Sequence, residues 1–210
     1  MTVERRLFDV KLQKVEKRNE HDDGNGEGHG EEQSPEVVIS GHAAVFNSRS
    51  EDLGGFVEEI APGAFDGVLG DDVRCLFNHD PNHILGRSTS GTLSLTVDGN
   101  GLTYRCVMPD TQLARDLVKS MERGDISQSS FAFEVAEDEF DRLEDDGLLR
   151  TITKIKRLHD VSPVTYPAYP DASSEISQRA LDKAKQMQRK FPADGLREWV
   201  ELKKVWRKRA

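Results

Sequence analysis

The feature that most constrains this chain is a succession of short β-type segments between residues 37 and 166, interrupted by a single helical periodicity. Apolar and β-branched clusters at 37–46, 56–60, 73–77, 92–97, 102–108, 131–135, 149–158 and 161–166 are separated by Gly, Pro, Asn and Asp, as strands are by turns. Two of them meet across Asp98-Gly99-Asn100-Gly101, residues that tolerate positive φ and so signal a hairpin. Only over 110–123 does the period change. There Leu113, Leu117 and Met121 recur at i, i+4 and i+8 with Val118 beside them, and Gly124 follows where a helix C-cap belongs. Many strands with one packed helix make a β-rich α+β chain.

The flanking parts differ from this body. Residues 1–18 read as a strand, with Leu7, Phe8, Val10, Leu12 and Val15 spread among alternating charges. Residues 19–36 are acidic, glycine-rich and almost without apolar side chains, so they read as a flexible loop that cannot repay the entropy of ordering. The body then runs over 37–170. From 171 to 210 the chain reads as a basic helical tail, starting near Ser173, Ser174 and Glu175 and split by Pro192 and Gly195. From Gln178 onward it holds eleven Lys or Arg against four Asp or Glu, and Trp199, Val200, Leu202, Val205 and Trp206 form an apolar stripe.

Charge and hydropathy exclude some functions. A formal net charge of -9 argues against general affinity for nucleic acid, which calls for a basic footprint. No segment approaches the roughly 20 apolar residues that cross a bilayer, and residues 1–20 lack the apolar stretch of a secretory signal. A cytoplasmic setting without membrane attachment is therefore expected. Cys75 and Cys106, each inside an apolar strand-like run, read as small buried hydrophobes rather than a disulfide.

Three segments carry candidate chemistry. In Arg74 to Arg87, RCLFNHDPNHILGR, a strand ends at Phe77-Asn78 and delivers His79 to an Asp-Pro turn, an exposed rigid edge suited to a general base. In Gly124 to Glu134, GDISQSSFAFE, strand period places Ser130, Ala132 and Glu134 on one face and Phe131, Phe133 and Val135 on the other. Ser129 then shares the phenylalanine face and reads as structural, while Ser130 lies beside small Ala132, which leaves room for a substrate backbone. In Leu158 to Pro170, LHDVSPVTYPAYP, Asp160 supplies a carboxylate able to orient an imidazole, and His159 points to the opposite face. The spacing of Pro163, Pro167 and Pro170 suggests an extended path rather than a central ladder. Each residue taken singly also fits a turn, a cap or a hydrogen-bonded strand position.

Taken in order, ISGHAAVFN at 39–47, EEIAPGAF at 58–65, LFNHDPNHILGR at 76–87, GDISQSSFAF and DVSPVTYPAYP at 160–170 resemble the prohead proteases of tailed bacteriophages, a family similar to herpesvirus assembly proteases. The resemblance implies a compact β-barrel surrounded by helices, followed here by the helical tail. It implies Ser130 as nucleophile, His79 as general base and Asp160 as orienting carboxylate, with Ser129 a weaker rival for the nucleophile because Gln128-Ser129 stands where Gly-Met is common. Relatives commonly have Glu at the position of Asp160. It further implies a serine endopeptidase that cuts scaffold and capsid-protein segments, and itself, inside a procapsid assembling in the host bacterial cytoplasm. No cofactor or metal is expected, and a homodimer is implied by analogy with the herpesvirus enzymes alone. The rival readings are a non-catalytic assembly or scaffolding protein on the same fold, and a metal-dependent hydrolase using His79, Asp80 and His83. Pro81 works against the latter, since it prevents a zinc-binding helix there.

Overall fold

A computed structural model describes residues 3–8, 14–18, 36–53, 55–143 and 147–165, together with Asp182 and Gln186. Its strands form two sheets. The first has the order β1 (Glu4–Phe8), β9 (Gln128–Arg142), β10 (Leu148–Val164), β5 (Arg74–Phe77) and β6 (Asp80–Arg87), with β4 (Val57–Ile60) also pairing along β10. The second runs β2 (Lys14–Arg18), β3 (Glu36–Val45), β8 (Gly101–Val107) and β7 (Leu93–Val97). No ladder joins the two sheets among the described residues, so they form a layered pair there and not the closed barrel that the resemblance implies.

The apolar faces of the two sheets meet in one continuous core. Ile39, Leu93, Tyr104 and Cys106 come from the second sheet, and Cys75, Phe131, Phe133, Leu158 and Val161 from the first, all buried. Phe131 and Phe133 stack at 4.5 Å between centroids, and Phe65 packs edge-on against Phe131 at 5.7 Å. Burying an aliphatic or aromatic side chain of this kind contributes about 1.5–3 kcal/mol, so this layer dominates the stability. Gly86 sets how closely the layers approach. It pairs with Cys75 in the β5–β6 hairpin, and a Cβ there would lie 2.5 Å from Cys106 Sγ.

The expected helix is α1 (Gln112–Arg123). Thr111 caps its start by accepting a hydrogen bond from the Ala114 amide, and Gly124, at φ 84°, ends it by donating to the Met121 and Ser120 carbonyls. Ala114, Leu117 and Val118 face the core. The phrase at 58–65, which has no evident chemistry, proves to be architectural. With Gly63 at φ 86°, the segment lines β10 between β4 and β5, where the Ala61 amide bonds the Ile152 carbonyl and the Ala64 carbonyl accepts from the Ile155 amide.

Three local expectations differ from the structure. The single strand over 1–18 is, among the described residues, two strands in different sheets, β1 pairing with β9 and β2 with β3. Residues 149–158 and 161–164 belong to one strand, β10, whose ladder with β9 runs through Pro163, opposite Ser129, to Val164, opposite Gln128, while Tyr166, Pro167 and Pro170 lie outside the described residues. Pro163 is tolerated because it is the penultimate residue of the strand and its carbonyl accepts from the Asn78 amide. The segment 80–87, read as a turn and loop, is the edge strand β6, where Pro81 needs no ladder donor on its open side. The acidic loop over 19–36, apart from Glu36, and the basic tail over 171–210, apart from Asp182 and Gln186, lie outside the described residues.

Replacing Gly86 by alanine should lower stability by about 1–3 kcal/mol, the usual result of inserting a methyl into a filled core. Thermal denaturation of the purified variant checks this, and an unchanged midpoint would show that the sheets part easily at Cys106.

Candidate active site

The antiparallel pairing of β9 and β10 sets two of the candidate residues side by side. Ser130 lies opposite Ser162, and Asp160 lies opposite Ala132, so their side chains share one face of the sheet. A register shift falls between Leu158 and Asp160, leaving His159 as the extra residue of a bulge. The Leu158 amide next to this bulge is satisfied by Asp71 Oδ2 at 2.8 Å. His159 takes no part in the Ser130 group. Its Nε2 lies 3.1 Å from Glu134 Oε1.

His79 reaches the same face from the turn between β5 and β6. Asn78 and His79 have φ of 56° and 57°, positive at both central positions as a type I′ turn requires. Asn is well suited to the left-handed region and His is enriched there relative to most residues. The turn is tied down through Asn78. Its amide bonds the Pro163 carbonyl at 3.0 Å, its Nδ2 reaches Thr165 Oγ1 at 3.0 Å, and its Oδ1 accepts from the Thr165 amide at 2.8 Å. The end of β10 and the turn that carries His79 are thereby held as one unit.

His79 bridges the other two residues. Its Nδ1 lies 2.5 Å from Asp160 Oδ1 and its Nε2 lies 2.8 Å from Ser130 Oγ. With a carboxylate on Nδ1, the ring proton belongs there and Nε2 is left as the acceptor facing the hydroxyl. Asp160 Oδ1 also accepts a hydrogen bond from Ser162 Oγ at 2.7 Å, and Ser162 is wholly buried. Ser130 Oγ has a second neighbour, the Arg6 carbonyl of β1, to which it donates at 3.0 Å.

The other candidate groups nearby have partners of their own. Ser129 faces the core and exchanges a 2.8 Å hydrogen bond with Tyr104 Oη, as strand period leads one to expect. Burial pushes the Tyr104 hydroxyl up from its ordinary pKa. Burial likewise raises the Cys75 thiol, with Cys106 beside it adding to the effect, so neither group is ready to act as an anion. Asp80, the next residue after His79, turns away to accept from the Asn82 amide at 2.8 Å and its Nδ2 at 2.9 Å. His83 Nδ1 lies 3.5 Å from Asp80 Oδ2. Among the described residues no group of three or more His, Cys, Asp or Glu side chains could hold a metal ion.

Sequence reasoning passed over Asn78 and Ser162. Ser162 could have been suspected, since it lies two residues from Asp160 and so returns to the same strand face. Asn78 had a weaker signal, a residue type that favours positive φ placed before the candidate histidine.

A hydroxyl, an imidazole and a carboxylate in file are the arrangement by which serine hydrolases prepare a nucleophile. A family model described as caudovirus prohead serine protease matches residues 27–187, and the chain belongs to that family. Among curated proteins, the prohead protease of Enterobacteria phage HK97 is 30% identical over 140 residues, which cover 64% of this chain and 57% of that relative. The chain therefore spans less than two thirds of the relative's length. Among solved structures, the capsid assembly protease of bacteriophage T4 aligns with a TM-score of 0.47 at 10% identity, covering 79% of this chain and 98% of that one.

The geometry makes two outcomes testable. A hydrogen bond to a charged group contributes about 1.5–3 kcal/mol, so if this group acts as a serine-hydrolase triad, Ser162→Ala should lower kcat about tenfold or more while KM changes little. Steady-state kinetics on a peptide substrate read this directly, and Ser162→Thr, which keeps the hydroxyl, should recover most of the rate. The second outcome concerns acid stability. The Lys156 hydrogen bond holds the Glu134 carboxyl below its ordinary pKa, against the opposing effect of burial and with help from His159. A lowered folded-state pKa stabilises the protein above the ordinary carboxylate value, and that contribution is lost as pH falls through the folded value. Glu134→Gln should therefore flatten the decline in melting temperature between about pH 5 and pH 3.

Proposed function

We propose that this protein is a serine endopeptidase of phage procapsid maturation, with Ser130 as nucleophile, His79 as general base and Asp160 as the carboxylate that orients it. The observation that carries the reading is the position of His79, with Nδ1 on Asp160 and Nε2 on Ser130, at 2.5 Å and 2.8 Å. In the reaction, Nε2 takes the Ser130 proton as Oγ attacks the scissile carbonyl carbon. The imidazolium then gives that proton to the leaving amine as the peptide C–N bond breaks. Water, activated by the same nitrogen, hydrolyses the resulting ester and restores the hydroxyl.

Asp160 has two tasks in this scheme. It keeps the ring proton on Nδ1, and its charge favours the imidazolium formed during attack. Ser162 is a positioning residue that fixes the carboxylate. Asn78 is another, since it holds the turn from which His79 extends.

The proposed substrates are scaffold and capsid-protein segments, and the chain itself. Family membership and the 30% identity to the HK97 prohead protease support this choice. The proposed place of action is the interior of the assembling procapsid in the host bacterial cytoplasm, with the major capsid protein as partner. A homodimer is part of the proposal by analogy with the herpesvirus enzymes. The described residues contain no helix long and apolar enough to cross a membrane.

Mass spectrometry of the wild-type chain and of Ser130→Ala, each incubated with the cognate scaffold–capsid precursor, tests the reading. The wild type should trim the precursor or itself and should gain the mass of a serine-directed phosphonate at Ser130, while the variant does neither. Cleavage that persists in Ser130→Ala overturns the assignment. Cleavage by neither chain would favour a non-catalytic assembly protein on the same fold.

A further inference from the structure

Strand β1 occupies an unusual position for an ordinary edge strand. It pairs with the half of β9 that carries Ser130, in the register Glu4 to Phe133, Arg6 to Phe131 and Phe8 to Ser129. Among the described residues, the first sheet ends with it. With β1 in place Ser130 is only 1% exposed, and its hydroxyl donates to the Arg6 carbonyl at 3.0 Å. A serine hydroxyl has one proton. A proton directed at the Arg6 carbonyl is not directed at His79 Nε2, so β1 competes with the imidazole for the group on which the proposed chemistry depends.

Two side chains of β1, Glu4 and Arg6, are held by a buried ion cluster on the opposite face of the sheet. Arg6 grips Glu58 through Nε at 2.5 Å and Nη2 at 3.1 Å, and its Nη2 also meets Glu4 Oε2 at 2.7 Å. Arg150 Nη1 lies 2.8 Å from both Glu4 Oε2 and Glu58 Oε2, and its Nε reaches Asp138 Oδ2 at 2.8 Å. Glu4, Arg6, Glu58 and Arg150 are all buried. A buried charge that loses its only partner is strongly destabilising. Here the loss of β1 removes one anion and one cation together, and Glu58 keeps Arg150 while Arg150 keeps Asp138. The cluster is therefore built so that a strand with this charge pattern can leave without stranding a charge.

We infer that the open side of β9 at residues 129–133 is the docking site for the substrate strand, and that β1 is its internal occupant. Departure of β1 would expose the backbone donors and acceptors of β9, which an extended peptide satisfies by adding a strand. The ligand class is set by what β1 places there. It is an extended segment with a basic residue held by Glu58 and an acidic residue two positions earlier held by Arg150. The basic residue's carbonyl then lies where the Arg6 carbonyl now meets Ser130 Oγ. This inference rests on the serine-peptidase reading, because it assigns the substrate and the regulation of that site.

A reversible lock tests it. Arg5 and Ala132 are cross-strand partners, so the full chain carrying Arg5→Cys with Ala132→Cys can be bridged by oxidation and released by a thiol reductant. Ser130 is read by its rate of labelling with a serine-directed phosphonate. The oxidised chain should label roughly a hundredfold more slowly than the same chain reduced, because the competent population falls with β1 fastened. Equal labelling of the bridged and reduced forms overturns the inference and leaves the peptidase reading intact. Failure of wild-type Ser130 to label at all sinks the peptidase reading and the inference with it. The ligand class is tested on the wild-type chain with a synthetic peptide of sequence VERRLF and a second with alanine in place of its second arginine. The first should slow labelling and the second should not, and equal effects of the two overturn the assigned class.

Discussion

The pairing of β9 with β10 is the constraint on which the rest depends. It puts Ser130 opposite Ser162 and Asp160 opposite Ala132, so a hydroxyl and a carboxylate share one sheet face before any loop is involved. It also sends Phe131, Phe133, Leu158 and Val161 to the other face, where they form the buried layer against the second sheet. The same alternation that fills the core thus arrays the polar groups. A one-residue slip of the register would exchange the two sets, so the apolar core itself enforces the geometry of the site.

His79 is the one member that does not come from this strand pair, and its placement depends on more parts. A left-handed two-residue turn aims it, Asn78 anchors the turn to Pro163 and Thr165, and β5 runs parallel to β10 beside Asp160. Each of these is a backbone or near-backbone contact on a rigid element, which is how a reacting constellation is kept close to productive geometry. Residues held at positive φ other than glycine carry a small conformational cost and cluster at functional positions. The pair at Asn78 and His79 fits that pattern.

Local periodicity was legible in the sequence. Alternation along GDISQSSFAFE separated Ser130 from Ser129, the i, i+4 spacing revealed α1, and Asp98 to Gly101 marked the β7–β8 hairpin. The features that escaped depend on long-range contacts. The β5–β6 hairpin lacks the Asn-Gly signature of its turn type, and Pro81 disguises its second strand. Asp160 and Val161 lie in mid-strand, although His159 and Pro163 around them suggest a break. Glu4 and Arg6 look like solvent-facing charges, and only Glu58 and Arg150, remote in sequence, make them interior residues.

The central claim is that Ser130 and His79 act as one unit, and a kinetic cycle tests it most directly. The measurement is kcat for peptide hydrolysis by Ser130→Ala, His79→Ala and the double variant, against the wild type. Residues that share one reacting device are strongly non-additive. The account predicts that the double variant is no slower than the slower single variant. Losses that multiply in the double variant would show that the two side chains act independently, and would contradict it.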